Sequence, residues 1–251
     1  MTNVQFLSAR EARAHAMSSG CGCGACEAAG AGLPRRAFLA LGAAASLAAV
    51  PAFLPSVARA EEKLSPDAAL ARLAAGNERY AKGDMTSFKL NLAKLRAQTV
   101  DGQAPFAAVL SCADSRVPVE IVFDESIGSI FVTRVAGNVA NTETIASLEY
   151  GVAELHVPAI LVLAHQNCGA VKAAIAGEAV PGQISALYAP LQAAVAQGGG
   201  DPAATAKLNA KLQAQMLAKA SPLLAEAIAK NELKIAAGYY ELGSGRVIPV
   251  T

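Results

Sequence analysis

Three short runs of consecutive apolar residues constrain the fold of this chain more than any other feature. They are Phe106–Leu110, Ile130–Arg134 and Pro158–Ala164. A strand that does not alternate polar with apolar residues is covered on both faces, as in a parallel sheet. Each run stops abruptly at a polar segment. The first meets Ser111-Cys112-Ala113-Asp114-Ser115-Arg116, the second Ala136-Gly137-Asn138, and the third His165-Gln166-Asn167-Cys168-Gly169. Helical patterns lie between and after them. Thr142–Glu154 carries Ile145, Leu148 and Val152 on one face, and Ala170–Ala176 follows the third run. Residues 184–231 read as mainly helical, broken at Gly198-Gly199-Gly200 and Ser221-Pro222. Lys234–Tyr240 is a last strand, with a turn at Gly243-Ser244-Gly245 and a short return at Val247–Val250. Strands alternating with helices predict an α/β fold, a mostly parallel central sheet flanked by helices.

Ahead of the sheet, residues 61–101 read as a helical arm. Ser65-Pro66-Asp67 is a helix start with proline in the first turn. Leu70, Leu73 and Tyr80 follow at helical spacing, and Phe88–Gln98 forms a second piece. The chain has 251 residues, 53% of them hydrophobic and 16% charged, which suits one large core and excludes a disordered polypeptide. Its net charge of +1 offers no electrostatic footprint for nucleic acid.

The first sixty residues have a different character. Arg10, Arg13, Arg35, Arg36 and Arg59 stand against Glu11 and Glu27, a net of +3, while the rest of the chain is slightly acidic. Arg35-Arg36 opens an apolar stretch, Ala37–Val57, that ends in Ala58-Arg59-Ala60. A basic pair, an apolar segment and a small-x-small site make an export signal of the twin-arginine type, with cleavage expected after Ala60. The expectation is a periplasmic or secreted protein that meets the membrane only through this signal. The alternative is a retained anchor, since the stretch is about long enough to span a bilayer, although Pro51 and Pro55 interrupt it. Cys21, Cys23 and Cys26 lie in the same leader and read as an incidental part of it.

Removal of the leader leaves Cys112 and Cys168 as the cysteines of the mature chain. In an exported protein two cysteines can form a disulfide. Their surroundings suggest another use. In open α/β sheets, sites form beyond the carboxyl ends of the strands. If the first and third runs are neighbours, Cys112 converges on His165 and Cys168. Two thiolates and one imidazole are a three-ligand shell suited to zinc, with the fourth position open to water. Asp114 could fill that position, unless Arg116 holds its carboxylate back through paired hydrogen bonds.

Cys112-Ala-Asp-Ser-Arg-Val-Pro118, Arg134-Val-Ala-Gly-Asn138 and His165-Gln-Asn-Cys-Gly169 are similar to the signature segments of the β-class carbonic anhydrases. Val135 and Ala164 depart from that pattern, where asparagine and glycine are commoner. The resemblance spans roughly residues 65–250. It implies Cys112, His165 and Cys168 as zinc ligands, and Asp114 with Arg116 as a catalytic dyad. Gln103, Phe131, Tyr150 and Gly169 fall at substrate-binding positions. It implies reversible hydration of carbon dioxide to bicarbonate, in a homodimer or higher homo-oligomer whose site lies at the subunit interface and whose arm wraps a partner. Another branch of the family binds bicarbonate at a regulatory site containing tryptophan. This chain has no tryptophan, so that regulation is expected to be missing. His156 is the one histidine of the mature chain besides His165, and no shuttle histidine stands out. Two other readings remain: a zinc hydrolase acting on molecules such as carbon disulfide, and a non-catalytic zinc-binding protein.

Overall fold

The computed structural model describes residues 64–251. The expected leader, the cleavage point after Ala60 and the three leader cysteines lie outside the described residues. Five strands form one sheet in the order β2-β1-β3-β4-β5. They are β1 (Ala107–Ser111), β2 (Ile130–Arg134), β3 (Ala159–His165), β4 (Lys234–Tyr240) and β5 (Val247–Val250). The first four are parallel and β5 is antiparallel to β4. The α/β expectation holds, and the strand bounds differ from the sequence reading by a residue at most.

Every residue of β1 and β3 is buried, and the reason is a covered face on each side. Ala108, Leu110, Ile160 and Val162 point into one core. Ala107, Val109, Leu161 and Leu163 point into the other. The first core is closed by α4 (Thr142–Ala153), α5 (Gly169–Ala176), α6 (Tyr188–Gln197), α7 (Pro202–Ala220) and α8 (Pro222–Ala229). The second is closed by α1 (Pro66–Lys82) and the single turn α3 (Val119–Val122). The short α2 (Leu92–Gln98) lies between α1 and the sheet in sequence and has no buried residue.

The helix starts follow local chemistry. Ser65 Oγ accepts from Ala68 N–H ahead of Pro66, and Asn141 with Thr144 forms a reciprocal capping box at α4. Asp201 caps α7 and Ser221 caps α8, each directly before a proline.

The arm divides in two. The resemblance has the whole of 61–101 reaching for a partner, yet α1 already buries Ala69, Leu73, Gly76 and Asn77 against its own subunit. Glycine at position 76 is what lets α1 come so close, because a Cβ there would strike the Phe123 carbonyl oxygen. Large exposed apolar side chains follow α1, at Phe88, Leu90, Leu92 and Val100, where Phe88 is 67% and Val100 76% exposed.

Candidate metal centre

β1 and β3 are adjacent and parallel, so their carboxyl ends lie side by side. Cys112 follows β1 and His165 ends β3. After His165 the chain must turn sharply. Asn167 takes a left-handed conformation, φ +56°, which asparagine tolerates better than most residues. Cys168 then stands at the N-cap of α5. Gln166 secures this turn from both ends. Its N–H donates to Tyr240 O at 2.8 Å, and its Oε1 accepts from Leu242 N–H at 3.1 Å.

One imidazole nitrogen and two sulfurs converge, all within 4.8 Å of one another and all buried. No disulfide joins the two cysteines. His165 Nδ1 lies 2.9 Å from Gln166 O. A carbonyl can only accept, so Nδ1 carries the proton and Nε2 presents a lone pair. That Nε2 is fully buried and has no hydrogen-bond partner among the described residues. A buried acceptor is rarely left unpaired, and here it faces the two thiols.

The sulfurs are electrostatically unequal. Hydrogen bonding from Cys168 holds the Cys112 thiol low against the effect of burial, with help from the Gly137 N–H, whose nitrogen lies 3.3 Å from Sγ. Cys168 is pushed up by its neighbour Cys112 and by burial, while the N–H groups of Ala170 and Val171 at the start of α5 act the other way. A divalent cation binds sulfur as thiolate, so it would displace the protons of two thiols placed this way. Soft sulfur with imidazole favours zinc over calcium or magnesium, so the residues fit that ion.

Asp114 and Arg116 form the expected pair. Arg116 Nε and Nη2 donate to the two carboxylate oxygens at 2.9 and 2.7 Å, and its backbone N–H adds a third bond at 2.9 Å. This guanidinium holds the Asp114 carboxyl well below the usual carboxylate range. Asp114 Oδ2 is 3.8 Å from His165 Nε2, so the carboxylate stands beside the cluster while engaged with Arg116. Arg134, quoted in the sequence only as part of a motif, braces the same loop. It donates from Nε to Cys112 O at 2.9 Å and from Nη2 to Asp114 O at 2.5 Å. Val135 donates its backbone N–H to Ser111 O at 3.1 Å, and its side chain packs on the core.

The substrate positions divide. Gly169 adjoins Cys168 and has open space where a Cβ would point. Gln103, Phe131 and Tyr150 do not join the cluster of their own chain. Phe131 is in register with Ala108, four residues back along β1 from Cys112, roughly 13 Å at strand spacing. Its ring lies 6.2 Å from that of Tyr150, which is 51% exposed. Gln103 is exposed and precedes β1 at the end away from the cysteines.

A carbonic anhydrase family profile matches residues 107–247, which span the four parallel strands and the whole cluster. The chain belongs to the carbonic anhydrases. Carbonic anhydrase 2 of Mycobacterium tuberculosis is 34% identical over 192 residues, 73% of this chain and 92% of that one. A carbonic anhydrase of Pseudomonas aeruginosa is 34% identical over 161 residues, 58% of this chain and 73% of that one. Solved structures of β-carbonic anhydrases align with it. The β-carbonic anhydrase of Coccomyxa, solved with acetazolamide, superposes with a TM-score of 0.57 at 27% identity, over 72% of this chain and 86% of that one. One of two tetrameric β-carbonic anhydrases from Sordaria macrospora gives 0.58 at 25% identity, over 63% and 90%. This carbonic anhydrase is a zinc enzyme that interconverts carbon dioxide and bicarbonate.

Proposed function

We propose that Cys112, His165 and Cys168 hold the zinc and that Asp114 and Arg116 orient the reaction. The observation that carries this reading is the buried, unpartnered Nε2 of His165 facing two unjoined sulfurs. When bound, zinc supplies a Lewis acid that lowers the pKa of water from 15.7 to about 7, so that hydroxide is available at neutral pH. Asp114 uses a lone pair that Arg116 leaves free to accept from the attacking hydroxyl and aim its oxygen at carbon. Arg116 keeps that carboxylate ionised and engaged, so that Asp114 would not itself bind the metal, which argues against a closed, purely storing site. The open space at Gly169 admits the substrate beside Cys168.

Gln103, Phe131 and Tyr150 complete the site of a neighbouring subunit in this reading. Their distance from their own cluster and the exposure of Tyr150 support it. Gln103 donates to the oxygen that gains charge, and the two rings form an apolar slot for carbon dioxide. The exposed Phe88, Leu90, Leu92 and Val100 supply apolar area for a homodimer contact. Residues 1–60 act as a twin-arginine leader removed after Ala60, giving a periplasmic or secreted enzyme; N-terminal sequencing of the exported protein tests this. The central test is metal analysis with a carbon dioxide hydration assay. One zinc per chain and rapid hydration are expected, both lost in Cys168→Ser. An active enzyme without zinc would overturn the assignment.

A further inference from the structure

Helix α7 carries two amides where its pattern calls for apolar residues. Asn209 and Gln213, one turn apart, are buried at 0% and 2% exposure, while Met216 on the same helix is 42% exposed. Burying an amide without partners is costly, so these two need a reason to be inside. Their hydrogen bonds supply it. Asn209 Nδ2 donates to Gly137 O at 2.9 Å. Gln213 Oε1 accepts from Ala140 N–H at 2.8 Å. Gln213 Nε2 donates to Asn209 Oδ1 at 3.1 Å and to Pro190 O at 3.1 Å, so both of its protons are used.

The two amides therefore grip one loop at two points, 137 and 140. Within the gripped stretch, Gly137 N–H donates to Cys112 Sγ at 3.3 Å. Gly137 has φ +77°, and a Cβ there would lie 3.4 Å from the side chains of Ala170 and Leu191, so this residue packs beside α5 and α6. The carbonyl that Asn209 holds and the N–H that faces sulfur flank the same Cα. A rotation at one moves the other.

We propose that Asn209 and Gln213 are positioning residues for the metal centre, which act by aiming the Gly137 N–H at the Cys112 sulfur. This rests on Cys112 being a zinc ligand. Groups that hydrogen-bond to a ligand set its orientation and donor strength, and losing them commonly lowers metal affinity about 10- to 100-fold. Asn209→Asp keeps the shape but replaces the donor to Gly137 O with an acceptor. Gln213→Met removes the second grip and keeps the length.

The test uses the full chain loaded with cobalt(II), whose thiolate charge-transfer absorption reports on the metal–sulfur bonds, together with zinc affinity from chelator competition. Thr205→Val serves as the control, since Thr205 is equally buried on the same helix and its hydroxyl has no partner among the described residues. The expected result is a shifted charge-transfer band and about 10-fold weaker zinc binding in Asn209→Asp or Gln213→Met, with both unchanged in Thr205→Val. If either folded amide variant, judged by circular dichroism, keeps the parent band and affinity within twofold, the inference is overturned. It is overturned equally if Thr205→Val shifts the band as much, because any packing defect in α7 would then suffice. A parent protein with no thiolate band on cobalt addition overturns the metal assignment as well.

Discussion

Two of the buried polar centres among the described residues, a carboxylate and the metal cluster, are finished differently. Asp124, in the loop after α3, is completely satisfied. Its carboxylate accepts from Arg79 Nε at 2.5 Å, from the backbone N–H of Thr86 at 2.9 Å and of Ser87 at 2.8 Å, and from the Thr86 hydroxyl at 2.9 Å. The cluster at the carboxyl ends of β1 and β3 is left open, with two unjoined thiols beside an imidazole nitrogen that has no partner among the described residues. Burial and a displaced pKa are common to both. What separates structure from chemistry here is unused bonding capacity. The saturated carboxylate ties α1 and the segment after it to the loop that follows α3, and the unsaturated triad is ready for an ion.

The comparison can be broken at either centre. The largest effect is expected at Asp114, beside the open one. Asp114→Asn should leave zinc content at one per chain but lower kcat/KM for hydration by about 10²- to 10³-fold, the usual scale for losing an orienting charge. Near-parent activity would remove Asp114 from the mechanism. At the closed centre the readouts should reverse. Asp124→Ala strands Arg79 and two backbone donors, and should lower unfolding free energy by about 3 kcal/mol in denaturant titration. Zinc affinity should stay within about twofold of the parent. A protein that lost metal in parallel with stability would show that the two centres are one unit.

The smallest effect is the pH dependence of the closed centre. Burial by itself pushes the Asp124 carboxyl up, but Arg79 and the Ser87 and Thr86 donors outweigh it and hold the group well below the usual range. A carboxylate depressed in this way stabilises the fold above its unfolded pKa, about 3.9, and that contribution disappears as the pH falls through the lower folded value. Asp124 should therefore add stability that is constant from neutral pH down to about 5 and declines below about 4. Chemical denaturation from pH 7 to 3 should show that decline in the parent and a weaker one in Asp124→Ala.

Much of the site was legible before any coordinates. Cys112, Asp114, Arg116, His165 and Cys168 are short-range features of two segments, and each segment follows a run apolar enough to be a buried strand. The strands were legible for the same reason, since a parallel strand covered on both faces has no polar alternation to confuse it. The two-part character of residues 61–101 was not. Whether the apolar face of α1 meets its own sheet or another chain depends on the Gly76–Phe123 approach, which no periodicity records. Nor was the role of Asn209 and Gln213 visible. Buried amides on a helix look like solvent-facing residues in a pattern, and only their partners some 70 residues away reveal otherwise.

Sequence alone determined the atoms available to the chemistry: two thiols, one imidazole, and a carboxylate with its guanidinium two residues on. It also determined that these atoms sit where strands end, because local apolar runs and helix caps act over a few residues. Tertiary structure decided that β1 and β3 are neighbours, that Nε2 of His165 is the nitrogen left free, and that α7 reaches back to hold Gly137. Those outcomes depend on hydrogen bonds and packing between segments far apart in the chain, whose partners are chosen only when the whole sheet closes.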